Sequence, residues 1–366
     1  MKIRIFQPIV PEYRVALFEG LSSRYNGGVE VWAAAQLYTG DQSVRMSGCK
    51  FDYSHKFHKC GPLVWQSGLS IKGLDPNHDI VVINGDIHQL SALWVALKCK
   101  IKGMPVVWWG HHKTANSLPF NVRIRLWIAK HLADIFLAYT KTGIAYLKSH
   151  GFEKGCVFAT GNTIDQKPIK KAIAAWDGVD RFKGKKGLLC CSVLREKVKL
   201  DQVIRVLADG RLKDVALAVI GEGPMKAEYE RIAAECGVAE RIIWLGATRD
   251  QMVMAPWFLS AKAFVYPGSV GLSILHSMSY GLPVIVHGNA EHQMPEYEVM
   301  EDGKTGLCFE ENSTEDLLEK IVAVTSDETR RLEMSRYCQD LAFNKYSMDA
   351  MVENFVSAVE AARGVR

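Results

Sequence analysis

Short apolar runs alternate with amphipathic stretches along almost the whole chain. IRIFQP near the start reads as a strand, residues 15–23 as a helix and residues 29–35 as a second strand. Residues 40–75 are polar and turn-rich, and only fragments of strand stand out there. DIVVING then predicts a buried strand opening into Asn84, Gly85 and Asp86, with a helix through Leu93 and Leu97 behind it. PVVWWGHH is a similar strand ending in Gly110, His111 and His112. A basic helix over 122–131, a strand in ADIFLAYT, a helix in GIAYLKSHG closed by Gly151 and a strand in CVFATGNTID complete the first half. Residues 166–187, rich in Lys, Ala and Gly, read as a linker, which places a domain boundary near Lys186.

The alternation then restarts: strand GLLCCSVL, helix 201–209, strand VALAVIG, helix 225–236 and strand IIWLG. Repeated strand–helix units of this kind predict two parallel sheets covered by helices. Such sheets hold ligands in the loops after their strands, so the loop VPEYR offers Glu12, Tyr13 and Arg14 to a ligand of the first domain, with Asp86 on the same sheet edge. The last stretch, 348–362, is an amphipathic helix.

The sharpest unit is FVYPGSVGLSILHSMSYGLPVIV, residues 264–286. A strand ends at Pro267, turns through Gly268 and Gly271, enters a helix, stops at Gly281 and Pro283 and resumes as a strand. At about 100° per residue, Ser273, His276, Ser277 and Tyr280 fall on one arc of the helix and Leu272, Ile274, Leu275 and Met278 on the other, which predicts one polar face and one core face. The glycines leave N–H groups of Gly271 and Leu272 open where the helix dipole begins, an arrangement suited to phosphate oxygens.

Composition narrows the class. A chain of 366 residues, 48% hydrophobic and 23% charged, is long enough for two full cores and excludes a disordered protein. The N-terminal apolar run is too short for a signal segment, and no window approaches the roughly 18 apolar residues of a membrane span. Nine cysteines without a Cys-x-x-Cys pair predict reduced thiols in a cytoplasmic protein, with neither a zinc site nor a disulfide frame. The net charge of +5 is that of an ordinary solvated surface, and nucleic-acid binding has no motif behind it. Two local clusters go further: Lys98, Lys100 and Lys102, and the basic helix 122–131, which suits either a peripheral contact with an anionic membrane or a plain solvated face.

The segment 264–286 resembles the signature of the GT-B glycosyltransferases, specifically glycosyltransferase family 4, in which a strand, a glycine turn and a helix hold the diphosphate and ribose of a sugar nucleotide. The resemblance covers nearly the whole chain and is strongest over 187–309. It implies an α/β fold of two Rossmann-like domains facing a cleft: an acceptor-binding domain at 1–186, a nucleotide-sugar domain at 187–345, and a helix at 346–366 returning to the first. Family members carry two glutamates where this chain has Gly268 and His276. They also have a glycine pair in the first loop, where this chain reads VPEYR. WWGHH is similar to the segment that sets a histidine against the reacting sugar, and the position after the glycine selects His111 ahead of His112. CVFATGNTID resembles the Asn and Asp pair closing the first domain, here Asn162 and Asp165.

By the same resemblance, LREKVKLD supplies an arginine and a lysine to the donor diphosphate: Arg195 with Lys197 or Lys199. His276 takes the ribose, while Gly246, Gly268 and Ser269 lie near the sugar or base, with GEGP at 221–224 a frequent family element. MPEYEVMEDGKTGLCF matches a family stretch in which Glu296 is the glutamate, and Glu298 is a candidate to replace the carboxylate absent at Gly268. No Asp-x-Asp occurs, and fixed cations with helix N–H groups can stabilise a leaving diphosphate, so the expectation is a site with no metal and no cofactor. The implied reaction is transfer of a sugar, with retention, from a UDP- or GDP-sugar to a glycan or lipid-linked glycan. A sugar-nucleotide-binding protein without turnover and a GT-B epimerase remain the alternatives.

Overall fold

The computed structural model describes residues 1–37, 42–44, 50–111, 119–153 and 155–365. In chain order the elements are β1 (Ile3–Phe6), α1 (Val15–Arg24), β2 (Val29–Ala34), β3 (Lys50–His55), β4 (Phe57–Cys60), β5 (Leu63–Gln66), β6 (Ile80–Asn84), α2 (Leu90–Ile101), β7 (Val106–Gly110), α3 (Pro119–Leu132), β8 (Ile135–Ala138), α4 (Lys141–Ser149) and β9 (Val157–Ala159). They continue as α5 (Lys167–Ala174), β10 (Lys186–Cys191), α6 (Leu200–Val206), β11 (Val215–Ile220), α7 (Lys226–Glu235), β12 (Ile242–Gly246), α8 (Gln251–Ser260), β13 (Ala261–Tyr266), α9 (Ser273–Ser279), β14 (Val284–His287), β15 (Gly306–Phe309), α10 (Thr314–Ser326), α11 (Glu328–Asp340) and α12 (Met348–Gly364). Two compact units result, Met1–Thr163 with Met348–Arg366, and Ile164–Ser347.

The first unit holds a parallel sheet in the order β3-β2-β1-β6-β7-β8-β9, with β4 and β5 forming a separate antiparallel pair. Strand alternation sorts its side chains cleanly. Ile80, Val82, Val107 and Trp109 meet α1 and α12 on one face, whereas Val81, Ile83, Val106 and Trp108 meet α2 and α3 on the other. The last helix belongs to this unit because Met351, Phe355 and Val359 are buried in the same core as Ile3 and Leu17. The strand order reverses at β1, the place where doubly wound sheets open a crevice at their C-terminal edge.

The second unit has a parallel sheet in the order β12-β11-β10-β13-β14-β15. The division between units falls at Thr163 and Ile164, ahead of the expected boundary near Lys186. Residues 166–187 are not a linker: α5 buries Ile169 and Ala172 in the second core, and Phe182 lies over Gly187 and edge-on to Trp257 at 5.6 Å. The apolar positions that do this are spaced among lysines, which hid them. Helix α8, absent from the sequence reading, starts on Asp250, whose carboxylate accepts from the Met252 N–H, and carries Pro256 inside it.

Candidate functional site

In the first unit the loops after β6 and β7 are pressed together. Gly85 N–H donates to the Trp109 carbonyl at 2.8 Å, and a Cβ on Gly110 would stand 2.9 Å from the Gly85 Cα. Both positions need glycine because two backbones meet there. Beside them opens a pocket of about 410 Å³ lined by Asn84, Asp86, His111, Asn121, Arg125 and Tyr139, among others. The His111 ring lies 4.5 Å from that of Tyr139. Tyr139 is held from behind, its hydroxyl accepting from Arg14 Nη2 at 2.5 Å, while Arg14 also donates to Gln7 Oε1 at 2.6 Å and lies 4.2 Å over the Trp109 ring.

Asp86, expected to meet an acceptor, and His111, expected at the reacting sugar, both line this pocket. Arg14 does not face solvent. It is 7% exposed and acts on the pocket through Tyr139. Glu12 is exposed and Tyr13 half-buried, and neither lines the pocket. His112 lies outside the described residues. The sequence pattern places Arg125 only within a basic helix. Val122, Arg125, Leu126 and Ala129 are in fact the buried stripe of α3, a helical spacing visible in the sequence, and Arg125 is 8% exposed. Burial pulls its guanidinium below the ordinary value, with Asp86 and Tyr146 acting in the opposite direction.

In the second unit the loops after β10, β11 and β13 form one layer. Leu194 N–H donates to the Glu222 carbonyl and Met225 N–H to the Leu194 carbonyl, both at 3.0 Å, and side chains at Gly221 or Gly223 would run into the 192–194 backbone. Gly246 has φ +73°, and a Cβ there would stand 3.6 Å from Glu222 Oε1. The Arg195 carbonyl accepts from the Tyr229 hydroxyl at 3.1 Å. Arg195 and Lys197 project into solvent, and neither forms an ion pair among the described residues. Lys199 is occupied instead: its Nζ lies 2.8 Å from Asn312 Oδ1 and 3.3 Å from Glu311 Oε1. Burial pushes the Glu311 carboxyl upward, but His292, Asn289 and Lys199 outweigh it and hold the group at about 2.

The glycine turn sits directly on this loop, since a Cβ on Gly268 would collide with the Lys197 carbonyl. Gln293, which sequence reasoning missed, braces the turn by accepting from Val270 N–H at 2.7 Å while donating to the His287 carbonyl at 3.0 Å. The N–H groups of Gly271 and Leu272 have no protein acceptor among the described residues, and Ser269 is half-buried. A Cβ on Gly271 would stand 3.9 Å from Glu296 Oε2. Glu296 is thus the acid at the turn, while the charge of Glu298 acts on Tyr346.

Helix α9 does not have the polar face expected of it. Ser277 is fully buried and donates to the Ile274 carbonyl, and Tyr280 is 4% exposed, so the helix is packed nearly all round. His276 packs on Phe258 with ring centroids 4.8 Å apart, and its Nε2 lies 2.8 Å from Gln251 Oε1, which also accepts from the Tyr280 hydroxyl at 2.8 Å. Burial lowers the imidazole to about 4, so the ring is neutral at pH 7. With Nε2–H donating to Gln251, Nδ1 is the ring's acceptor. Asp165 accepts from Lys167 N–H at the start of α5, and the unit division falls between it and Asn162. Among the described residues no three His, Cys, Asp or Glu side chains are grouped to hold a metal ion, and no helix is long and apolar enough to cross a membrane.

Two parallel α/β units, with glycine-turn loops at the strand ends, define the GT-B class of fold. Solved structures of that class match nearly the full length: the Anabaena protein HepE in complex with UDP, with 14% identity, TM-score 0.72, 98% of this chain and 100% of that one, and the apo form of the lipopolysaccharide outer core galactosyltransferase WaaB, with 15% identity, TM-score 0.69, 98% and 99%. Residues 176–340, within the second unit, match the family model described as glycosyl transferases group 1.

Curated relatives include the sulfoquinovosyl transferase SQD2 of Arabidopsis thaliana, 30% identical over 33% of this chain and 24% of its own length. A GDP-mannose-dependent phosphatidylinositol monomannoside mannosyltransferase of Mycobacterium tuberculosis is 24% identical over 48% of each chain. The matched region spans about half or less of these relatives.

Proposed function

We propose that the protein is a glycosyltransferase that moves a sugar, with retention of configuration and without a metal, from a UDP- or GDP-sugar to a glycan or lipid-linked glycan. The observation that carries this reading is the seating of the Arg195–Lys197 loop on the Gly268 turn, which joins two exposed cations to the open N–H groups of Gly271 and Leu272. Charge developing on a leaving diphosphate is stabilised by such fixed donors. Lys197 is the lysine of choice because Lys199 is committed to Glu311 and Asn312. Neutral His276 offers Nδ1 to a ribose hydroxyl, and Glu296 stands by the turn where donor sugar hydroxyls would lie. His111 is the group assigned to the reacting sugar, with Asp86, Arg125 and Tyr139 around the acceptor.

The relatives' use of GDP-mannose and the UDP bound to HepE support the donor class. A cytoplasmic place of action, in surface-polysaccharide assembly, is part of this reading, and the scattered cysteines without a Cys-x-x-Cys pair support it. The test is product analysis with radiolabelled UDP- and GDP-sugars, with and without a polyprenyl-linked glycan pool. Acceptor-dependent transfer with retained configuration supports the proposal. Conversion of donor alone to an epimer, or binding with no turnover on any acceptor, rejects it.

A further inference from the structure

The first unit carries an unusual surface on β5, α2 and α3. Along α2, Leu90, Trp94, Leu97 and Ile101 recur at helical spacing on the outward side, and Ile101 is 76% exposed. Neighbouring α3 presents Ile124 and a 63% exposed Trp127, and β5, which packs beside α2, turns out Leu63 and Trp65. Large apolar side chains clustered in this way mark a contact surface, whereas single ones do not.

The charge carried by these three elements is one-sided. β5, α2 and α3 contain no Asp or Glu, while Lys98, Lys100, Arg123 and Lys130 lie on the two helices. Lys98 Nζ is 5.0 Å from the Trp94 ring centroid, so a cation and an amphipathic aromatic stand together. Lys100 pairs with Asp134 just beyond α3 at 3.2 Å and Lys130 donates to the Gly151 carbonyl, which leaves Lys98 and Arg123 beside the exposed tryptophans. Such a combination matches the interface of an anionic bilayer, where rings sit at headgroup level and long cations reach the phosphates. A second copy of this chain would bring like charge against like.

We infer that this face docks peripherally on a bilayer containing anionic phospholipid. The first turns of the same two helices border the 410 Å³ pocket, through Ile87 and His88 before α2 and through Asn121, Val122 and Arg125 in α3. Docking therefore sets that pocket's rim close to the headgroups, where the glycan of a lipid-linked acceptor would be presented. The membrane contact stands apart from the transferase reading, and only the delivery of acceptor rests on it.

The experiment is co-sedimentation of the full chain with phosphatidylcholine vesicles, with and without phosphatidylglycerol, at low and high salt. Two variants are compared: Trp94→Ser with Trp127→Ser, and Lys98→Gln with Arg123→Gln. Thermal melting checks the fold, and the charge variant changes only exposed side chains. Binding to phosphatidylglycerol vesicles that weakens at high salt, and falls about tenfold or more in each folded variant, is the expected result. Three results overturn the inference: no binding to phosphatidylglycerol vesicles, binding unaltered in both variants, or a concentration-dependent dimer that the tryptophan variant dissolves. Nucleoside diphosphate binding is measured alongside, so that its failure with vesicle binding intact removes the donor reading alone.

Discussion

The carbonyl of Lys197 occupies the space into which a side chain at Gly268 would project. A glycine at this position is therefore demanded by the protein's own backbone, and the cationic loop and the turn are fixed to each other. Gly268→Ala forces these segments apart and is expected to cost about 1–3 kcal/mol. Gly210→Ala, where a Cβ meets nothing within 4 Å, should change stability by less than about 0.5 kcal/mol. Urea denaturation of both variants checks the contrast.

On the proposed reading the two lysines of the loop should be separable by mutation. Lys197→Ala should weaken nucleoside diphosphate binding about tenfold and leave stability within about 0.5 kcal/mol. Lys199→Ala removes hydrogen bonds to Asn312 and Glu311 and should lower stability by about 1 kcal/mol with little effect on the nucleotide. Calorimetric titration and thermal melting of the pair resolve the assignment.

His276 makes stability depend on pH in a defined direction. Its folded value, about 4, lies below the roughly 6.5 of an unfolded histidine. As pH falls from about 6.5 to about 4, the unfolded chain takes up a proton that the folded chain refuses, and stability declines by at most about 3 kcal/mol. His276→Gln should flatten the curve in that window. Equal slopes for the two proteins would show that the ring protonates in place.

Tyr139→Phe keeps the ring beside His111 but deprives buried Arg14 of an acceptor. A loss of about 2 kcal/mol in urea unfolding is expected, because the lost bond has a charged donor. A neutral result would mean that Arg14 finds another acceptor.

The parts of this architecture set by local pattern were legible in the sequence. The strand–glycine–histidine run ending at His111, and the strand–turn–helix at 264–286, appear in the structure with bounds close to those expected. What depends on distant chain was not. Gln251, the partner of His276, lies on a helix that Pro256 disguises, and the Gly268 turn rests on the loop after β10, a strand next to β13 in the sheet but separated from it in the chain by β11 and β12. Arg14 looked available to ligand because its loop follows β1, yet its guanidinium lies over Trp109. Arg125 was hidden by composition: among basic neighbours its place on the buried stripe of α3 went unread.

The most direct test is calorimetric titration of the protein with UDP and GDP in the presence of a chelator, repeated on Arg195→Ala. The account predicts that one of the two binds without added metal, raises the melting temperature by mass action and loses about tenfold or more in affinity in the variant. If neither binds, or if binding ignores Arg195, the anion site at the Gly268 turn and the transferase reading built on it are contradicted.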